Sequence, residues 1–139
     1  MNIFDKLSQI KGLVLDIDGV FTDNSILVTE QGEFLRSMNV RDGYAIKRAL
    51  AAGLRVAILS GGKSQGTIQR MNVLGVQEVY LGVEDKLPIF ENIVKAWNIP
   101  MSSILYMGDD LPDLECLKTA GVSACPGDAV PEVLQICEY

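Results

Sequence analysis

Asp16 and Asp18 stand two residues apart at the end of an apolar run, Gly12 to Ile17, and Gly19 follows them directly. If that run is a β-strand, its side chains alternate between faces, so the two carboxylates share one side while Ile17 turns back to the core. Two acids so placed can divide a reaction, one attacking an electrophile and the other moving a proton. Other polar groups follow other apolar runs: Ser60-Gly61-Gly62, Lys86 and the pair Asp109-Asp110. Ligands of open parallel sheets bind at the carboxyl edge of the strands, and there these groups would converge.

Singly, each group has an ordinary reading. Asp-x-Asp-Gly is also a turn, Ser60-Gly61-Gly62 a plain strand-to-helix turn, Lys86 a solvated charge and Asp109-Asp110 a helix cap. A calcium loop beginning at Asp16 needs an acid or amide at its fifth position and Glu at its twelfth, where Val20 and Leu27 stand. Gly62-Lys63-Ser64 resembles the end of a nucleotide-binding loop, but Ala57 occupies the place of its first glycine. Histidine is absent, which removes imidazole bases and the commonest transition-metal ligand.

Four carboxylates in one cleft repel each other and would repel a phosphate, so a cation must join them. Oxygen ligands without a histidine or cysteine cluster suit Mg²⁺, with Lys86 adding a second positive charge. With a phosphate beside Asp16, that carboxylate can attack phosphorus and form an aspartyl-phosphate. Asp18 can protonate the leaving oxygen and later deprotonate the attacking water. Ser60, Lys86 and the amide of Gly61 would hold the remaining oxygens, with Gly62 beside them. Arg36 and Arg41 are candidates for a forked grip on a substrate carboxylate, or are simply charges of a hairpin and a helix entry.

The elements that must position these groups follow from periodicity. Strands are predicted over Gly12 to Ile17, Arg55 to Ser60, Glu78 to Gly82, Ser103 to Gly108 and Val122 to Ala124, alternating with helical patterns. Phe90, Ile93, Val94 and Trp97 have helical spacing, as do Ile46, Ala49 and Leu50. Pro112 suits a helix start and Gly121 its end, turning Leu114 and Leu117 inward, and another helix begins near Asp128. Ser25 to Val28 and Glu33 to Met38 flank Thr29-Glu30-Gln31-Gly32 and read as a β-hairpin over about residues 24–39. The fold class is therefore α/β: a Rossmann-like parallel sheet flanked by helices, with a hairpin flap after the first strand.

The chain of 139 residues, 48% hydrophobic, fits a single domain over residues 1–139. With no apolar run of membrane-spanning length and no basic, apolar leader, it reads as cytoplasmic, with no membrane partner. A net charge of −6 without a basic stripe argues against nucleic acid. Cys116, Cys125 and Cys137 are odd in number and lack metal-site spacing, so they read as reduced thiols.

Asp16-Ile17-Asp18-Gly19-Val20, Ser60, Lys86 and Gly108-Asp109-Asp110-Leu111-Pro112-Asp113, in this order, resemble the four motifs of the haloacid dehalogenase superfamily of phosphohydrolases. The resemblance implies Asp16 as nucleophile, Asp18 as acid and base, and Mg²⁺ held by Asp16, the Asp18 carbonyl and Asp109. It implies Asp110, with Asp113, in supporting positions, Asp110 orienting Lys86 or a metal-bound water. Gln31-Gly32-Glu33 and the segment Phe34 to Tyr44 look like the small capless phosphatases of 3-deoxy-D-manno-octulosonate 8-phosphate, a lipopolysaccharide precursor. That likeness implies a phosphorylated sugar acid as substrate and a homotetramer built through the hairpins. Two features depart from it. Many relatives carry Arg at the position of Gly62, and they continue past the position of Tyr139 into a glycine-rich tail that reaches a neighbouring site.

Three alternatives stay open at this point. A nine-carbon, sialic-acid-type sugar acid 9-phosphate is the neighbouring substrate. A phospho-acceptor receiver domain also gathers acids, Mg²⁺, a hydroxyl and a lysine, but its acceptor follows a middle strand and its acid pair the first. A catalytically silent scaffold resting on its hairpin would have no use for so many acids.

Overall fold

The amide of Asp5 donates to the Asn2 side chain while the Asp5 carboxylate takes the Asn2 amide, and this reciprocal cap starts α1 (Ile3–Ser8). The apolar pattern gave no sign of this helix, because none of its residues is buried. The computed structural model describes residues 1–139. In chain order α1 is followed by β1 (Gly12–Leu15), the hairpin strands β2 (Leu27–Val28) and β3 (Phe34–Leu35), α2 (Val40–Ala51), β4 (Arg55–Leu59) and α3 (Gln65–Leu74). Then come β5 (Glu78–Tyr80), α4 (Lys86–Trp97), β6 (Ile104–Met107), α5 (Leu114–Thr119), β7 (Val122–Ala124) and α6 (Pro131–Leu134).

The sheet order is β5-β4-β1-β6-β7, with every pairing parallel. Alternation along the strands divides the core between its two faces. Val14, Ala57, Leu59, Ile104 and Tyr106 pack with Phe90, Ile93, Val94 and Trp97 of α4 and with Leu117 of α5. Leu15, Val56 and Ile58 pack on the other face with Ile46 of α2 and with Met71 and Leu74 of α3. At roughly 1.5–3 kcal/mol per fully buried large apolar side chain, the two layers are the main force holding the sheet.

Leu15 lies opposite both Ile58 and Met107, so β1, β4 and β6 end within one residue of one another. The residues that follow them, Asp16, Ser60 and Asp109, therefore open at one edge. The strands end earlier than alternation suggests. Past Asp16, whose amide still donates to Met107 at 3.1 Å, the Ile17 carbonyl accepts from the amides of Val20, Phe21 and Thr22 and curls the chain into a loop. The hairpin is likewise reduced to two residues per strand, turning at Gly32 with φ of +82°.

Candidate active site

The loop after β1 turns Asp16 and Asp18 toward one cleft of about 380 Å³. Asp16 is 6% exposed; its Oδ1 takes the Ile17 amide at 2.7 Å and its Oδ2 faces Lys86 Nζ at 3.3 Å. Gly19 sits at φ +90°, and a Cβ there would lie 1.9 Å from Asp109 Oδ2. The glycine of the first motif thus allows the acid after β6 to close on the loop after β1.

Lys86 opens α4 and is buried, a position that opposes the helix dipole and desolvates an ammonium. Two carboxylates offset that cost, Asp113 at 2.8 Å and Asp16 at 3.3 Å. Burial by itself lowers its pKa, but Asp16 and Asp113 outweigh burial and hold that pKa above the ordinary lysine value. Lys86 is therefore a fixed positive charge at the floor of the cleft.

Asp113 is wholly buried and accepts four hydrogen bonds. Its Oδ1 takes Lys86 Nζ and Tyr106 Oη, the latter at 2.7 Å, and its Oδ2 takes the amides of Asp109 and Asp110 at 3.1 and 3.3 Å. Gly108 makes room for it, since a Cβ at that position would meet Asp113 Cγ at 2.3 Å. Asp113, rather than Asp110, orients Lys86. Asp110 is exposed, and its carboxylate takes the Leu111 amide at 2.7 Å to start the short turn that carries Asp113 inward.

On the opposite wall Ser60 is 2% exposed, its Oγ accepts from the Gly62 amide at 3.4 Å, and Gly61 and Gly62 line the cleft beside it. The helix after these glycines starts at Gln65, capped by Ser64, and its first turn lines a neighbouring cleft. Neither arginine lines this cleft. Arg36 forks onto Asp18, Nε to Oδ1 at 2.8 Å and Nη2 to Oδ2 at 3.2 Å. Arg41 is exposed in the first turn of α2, whose entry is fixed by the Asn39 cap, and it lies outside the cleft.

Two polar residues that sequence reasoning passed over also line the cleft, Asn24 and Glu84. Asn24 holds a left-handed φ of 72° and donates from Nδ2 to Asp109 Oδ2 at 2.6 Å. Only the folded loop brings it there, from eight residues beyond Asp16, and no spacing rule marks it.

The electrostatics ask for a cation. Asp16, Asp18, Glu84, Asp109, Asp110 and Asp113 line the cleft with Lys86 as the one cation among the lining residues, and only Asp18 has a further cationic partner, Arg36. Burial, then the Asp113 charge, push the Asp16 carboxyl up to about 7 against the pull of Lys86. Burial also raises Asp109, opposed by the Asn24 amide and reinforced by Asp113 and Asp110. Carboxylate oxygens of Asp16, Asp109 and Asp113 come within 4.8 Å of one another. With the four acceptor positions of Asp113 occupied, Asp16 and Asp109 are the side chains left to bind a hard divalent ion.

Acids after β1 and β6, a serine after β4 and a buried lysine opening α4, all at the carboxyl edge of one parallel sheet, define a haloacid dehalogenase-like hydrolase, and the model of that family matches residues 84–139. Within this class the chain belongs to the family of the 3-deoxy-D-manno-octulosonate 8-phosphate phosphatases. It is 35% identical over 138 residues to the enzyme of that name from Escherichia coli K12, a match covering 99% of this chain and 73% of the relative. The Yersinia pestis enzyme of the same name superposes with a TM-score of 0.95 at 33% identity, over 99% of this chain and 74% of that one. The Moraxella catarrhalis enzyme, solved with a magnesium ion, a phosphate ion and a 3-deoxy-D-manno-octulosonate molecule, gives 0.94 at 28% identity, over 99% and 79%. The chain is accordingly a phosphatase, which sets aside the receiver and scaffold readings.

Proposed function

We propose that this phosphatase hydrolyses 3-deoxy-D-manno-octulosonate 8-phosphate, using Mg²⁺ and an aspartyl-phosphate on Asp16, with residues 1–139 acting as one catalytic domain. The observation that carries the mechanism is the contact of Asp16 with Lys86 at the floor of a cleft that also holds Asp18 and Asp109.

Asp16, the Asp18 carbonyl and Asp109 would hold the ion, which when bound offsets the crowded carboxylates and the charge of the phosphate. A carboxylate oxygen of Asp16 attacks phosphorus as the ester P–O bond breaks. Asp18 gives its proton to the departing sugar oxygen. Lys86, held by Asp113, and the Ser60 hydroxyl with the Gly61 and Gly62 amides steady the phosphoryl oxygens during the transfer. Water then attacks the aspartyl-phosphate, Asp18 takes its proton, and inorganic phosphate leaves with Asp16 restored.

A homotetramer and a cytoplasmic location belong to the same proposal. The exposed apolar side chains of the hairpin suit burial against other copies, and the free thiols Cys116, Cys125 and Cys137 suit a reducing compartment.

The purified chain is expected to release phosphate from 3-deoxy-D-manno-octulosonate 8-phosphate faster than from a nine-carbon sugar acid 9-phosphate, and to stop on adding a chelator. Asp16→Asn is expected to lower kcat by about 10³-fold or more while leaving the circular dichroism spectrum intact. A variant that still turns over at the parent rate rules out the covalent mechanism; preference for the nine-carbon substrate rules out the substrate assignment.

A further inference from the structure

The fork of Arg36 onto Asp18 crosses from the hairpin to the reacting edge of the sheet, and three observations make it a built contact. The Arg36 side chain is only 9% exposed, whereas a charge at the foot of an exposed hairpin would ordinarily be solvated. Asp18 is its one salt-bridge partner, and its remaining terminal nitrogen, Nη1, is buried without an acceptor. The approach also depends on a missing side chain. A Cβ at Gly62 would lie 2.9 Å from Arg36 Nη2 and 3.2 Å from Asp18 Oδ2, so any larger residue there would press on the Nη2–Oδ2 leg of the fork and shift the guanidinium.

We propose that Arg36 is a positioning residue of this enzyme: reaching over Gly62, it fixes the Asp18 carboxylate in the orientation that delivers a proton to the leaving oxygen. A forked guanidinium locks both oxygens of a carboxylate in one plane, which a lysine cannot do. Each oxygen keeps a second lone pair for the proton it must carry. This role excludes the same guanidinium from gripping a carboxylate of the substrate. The inference rests on the assignment of Asp18 as general acid, though not on the identity of the sugar.

The test exploits leaving groups. An alkyl phosphate needs its departing oxygen protonated, whereas p-nitrophenolate leaves without help, and kcat/KM reports only the steps up to that departure. Arg36→Lys and Arg36→Met are expected to lower kcat/KM by about 10-fold or more for alkyl phosphates with and without a carboxylate, and by less than about 3-fold for p-nitrophenyl phosphate. Gly62→Ala is expected to share the alkyl loss, and the double variant Gly62→Ala/Arg36→Met to be no worse than Arg36→Met alone. An equal fall for alkyl and aryl phosphates overturns the proposal, since a general loss of structure or of phosphate binding would do that. So does a fall confined to the carboxylate-bearing substrate, which would return Arg36 to the substrate. A parent enzyme that hydrolyses other alkyl phosphates but not the octulosonate ester would refute the substrate assignment while leaving this comparison intact.

Discussion

Asp113 occupies the one position in the site where a charge has no water at all, and four donors hold it there. Removing its charge would strand Lys86 against Asp16 alone, and the NH2 group of an asparagine would face either the two amides or the lysine and the phenol, donor against donor. Asp113→Asn is therefore expected to cost about 3–5 kcal/mol of stability, measured by urea unfolding, and to lower kcat as the ammonium loosens. Tyr106→Phe keeps the buried ring in its edge contact with Phe90, 5.1 Å between centroids, and removes a single donor. It is expected to cost about 0.5–1.5 kcal/mol. Equal losses in the two variants would mean that Asp113 is held by packing rather than by its hydrogen bonds. The residue scale also shows why proximity alone misleads: Asp113 lies as close to Asp16 and Asp109 as a metal ligand would, yet its oxygens are already committed.

Among the elements, the hairpin leaves Ile26, Leu27, Val28, Phe34 and Leu35 uncovered by the rest of the chain. Leu27 is 67%, Val28 60% and Phe34 62% exposed, on strands that pair for only two residues each. A two-stranded ribbon of that length has little stability of its own in water. Burying these side chains between copies would supply the missing layer, at roughly 25 cal/mol per Å² of apolar surface. Phe34→Asp is expected to shift the sedimentation of the protein from a larger species to a smaller one and to reduce turnover at least about tenfold, because Arg36 stands two residues further along, just past the end of β3. A parent chain that sediments as a monomer, or a variant with unchanged assembly, would dismiss the hairpin as the subunit contact.

For the whole molecule, net charge of −6 is less important than its concentration at one edge of the sheet. The pKa values of Asp16 and Asp109 lie above their unfolded values, so both carboxyls bind protons more tightly when folded. The stability that Asp16 contributes is thus complete below about pH 3.8 and is lost as pH rises through about 7. In the presence of chelator the melting temperature is expected to fall between pH 5 and pH 8, and Asp16→Asn to flatten that fall. Mg²⁺ bound only by the folded state adds about 2.7 kcal/mol at a hundredfold excess over its Kd. Its addition should therefore raise the melting temperature more at pH 8 than at pH 5. A melting temperature that rises with pH without metal would contradict the buried-carboxylate picture.

The two-residue alternation of Val14, Leu15 and Asp16, or of Ile104 through Met107, is a property of the strand backbone, so the sheet, its two-faced core and the edge where the acids open could be read from residue order. The helical spacing of Phe90, Ile93, Val94 and Trp97 fixed α4 and, with it, the place of Lys86. Side-chain pairing was not legible in the same way, because it depends on the loops. Asp113 rather than Asp110 reached Lys86 since a short capped turn rotated one inward and left the other in water. Arg36 met Asp18 since Gly62 left the space open, and Asn24 met Asp109 through a left-handed turn that no periodicity announces. Local sequence determines which groups reach the edge, because it sets the strand; which of them touch is decided by loop geometry and by competition for a few buried acceptors, and those exist only once the chain has folded.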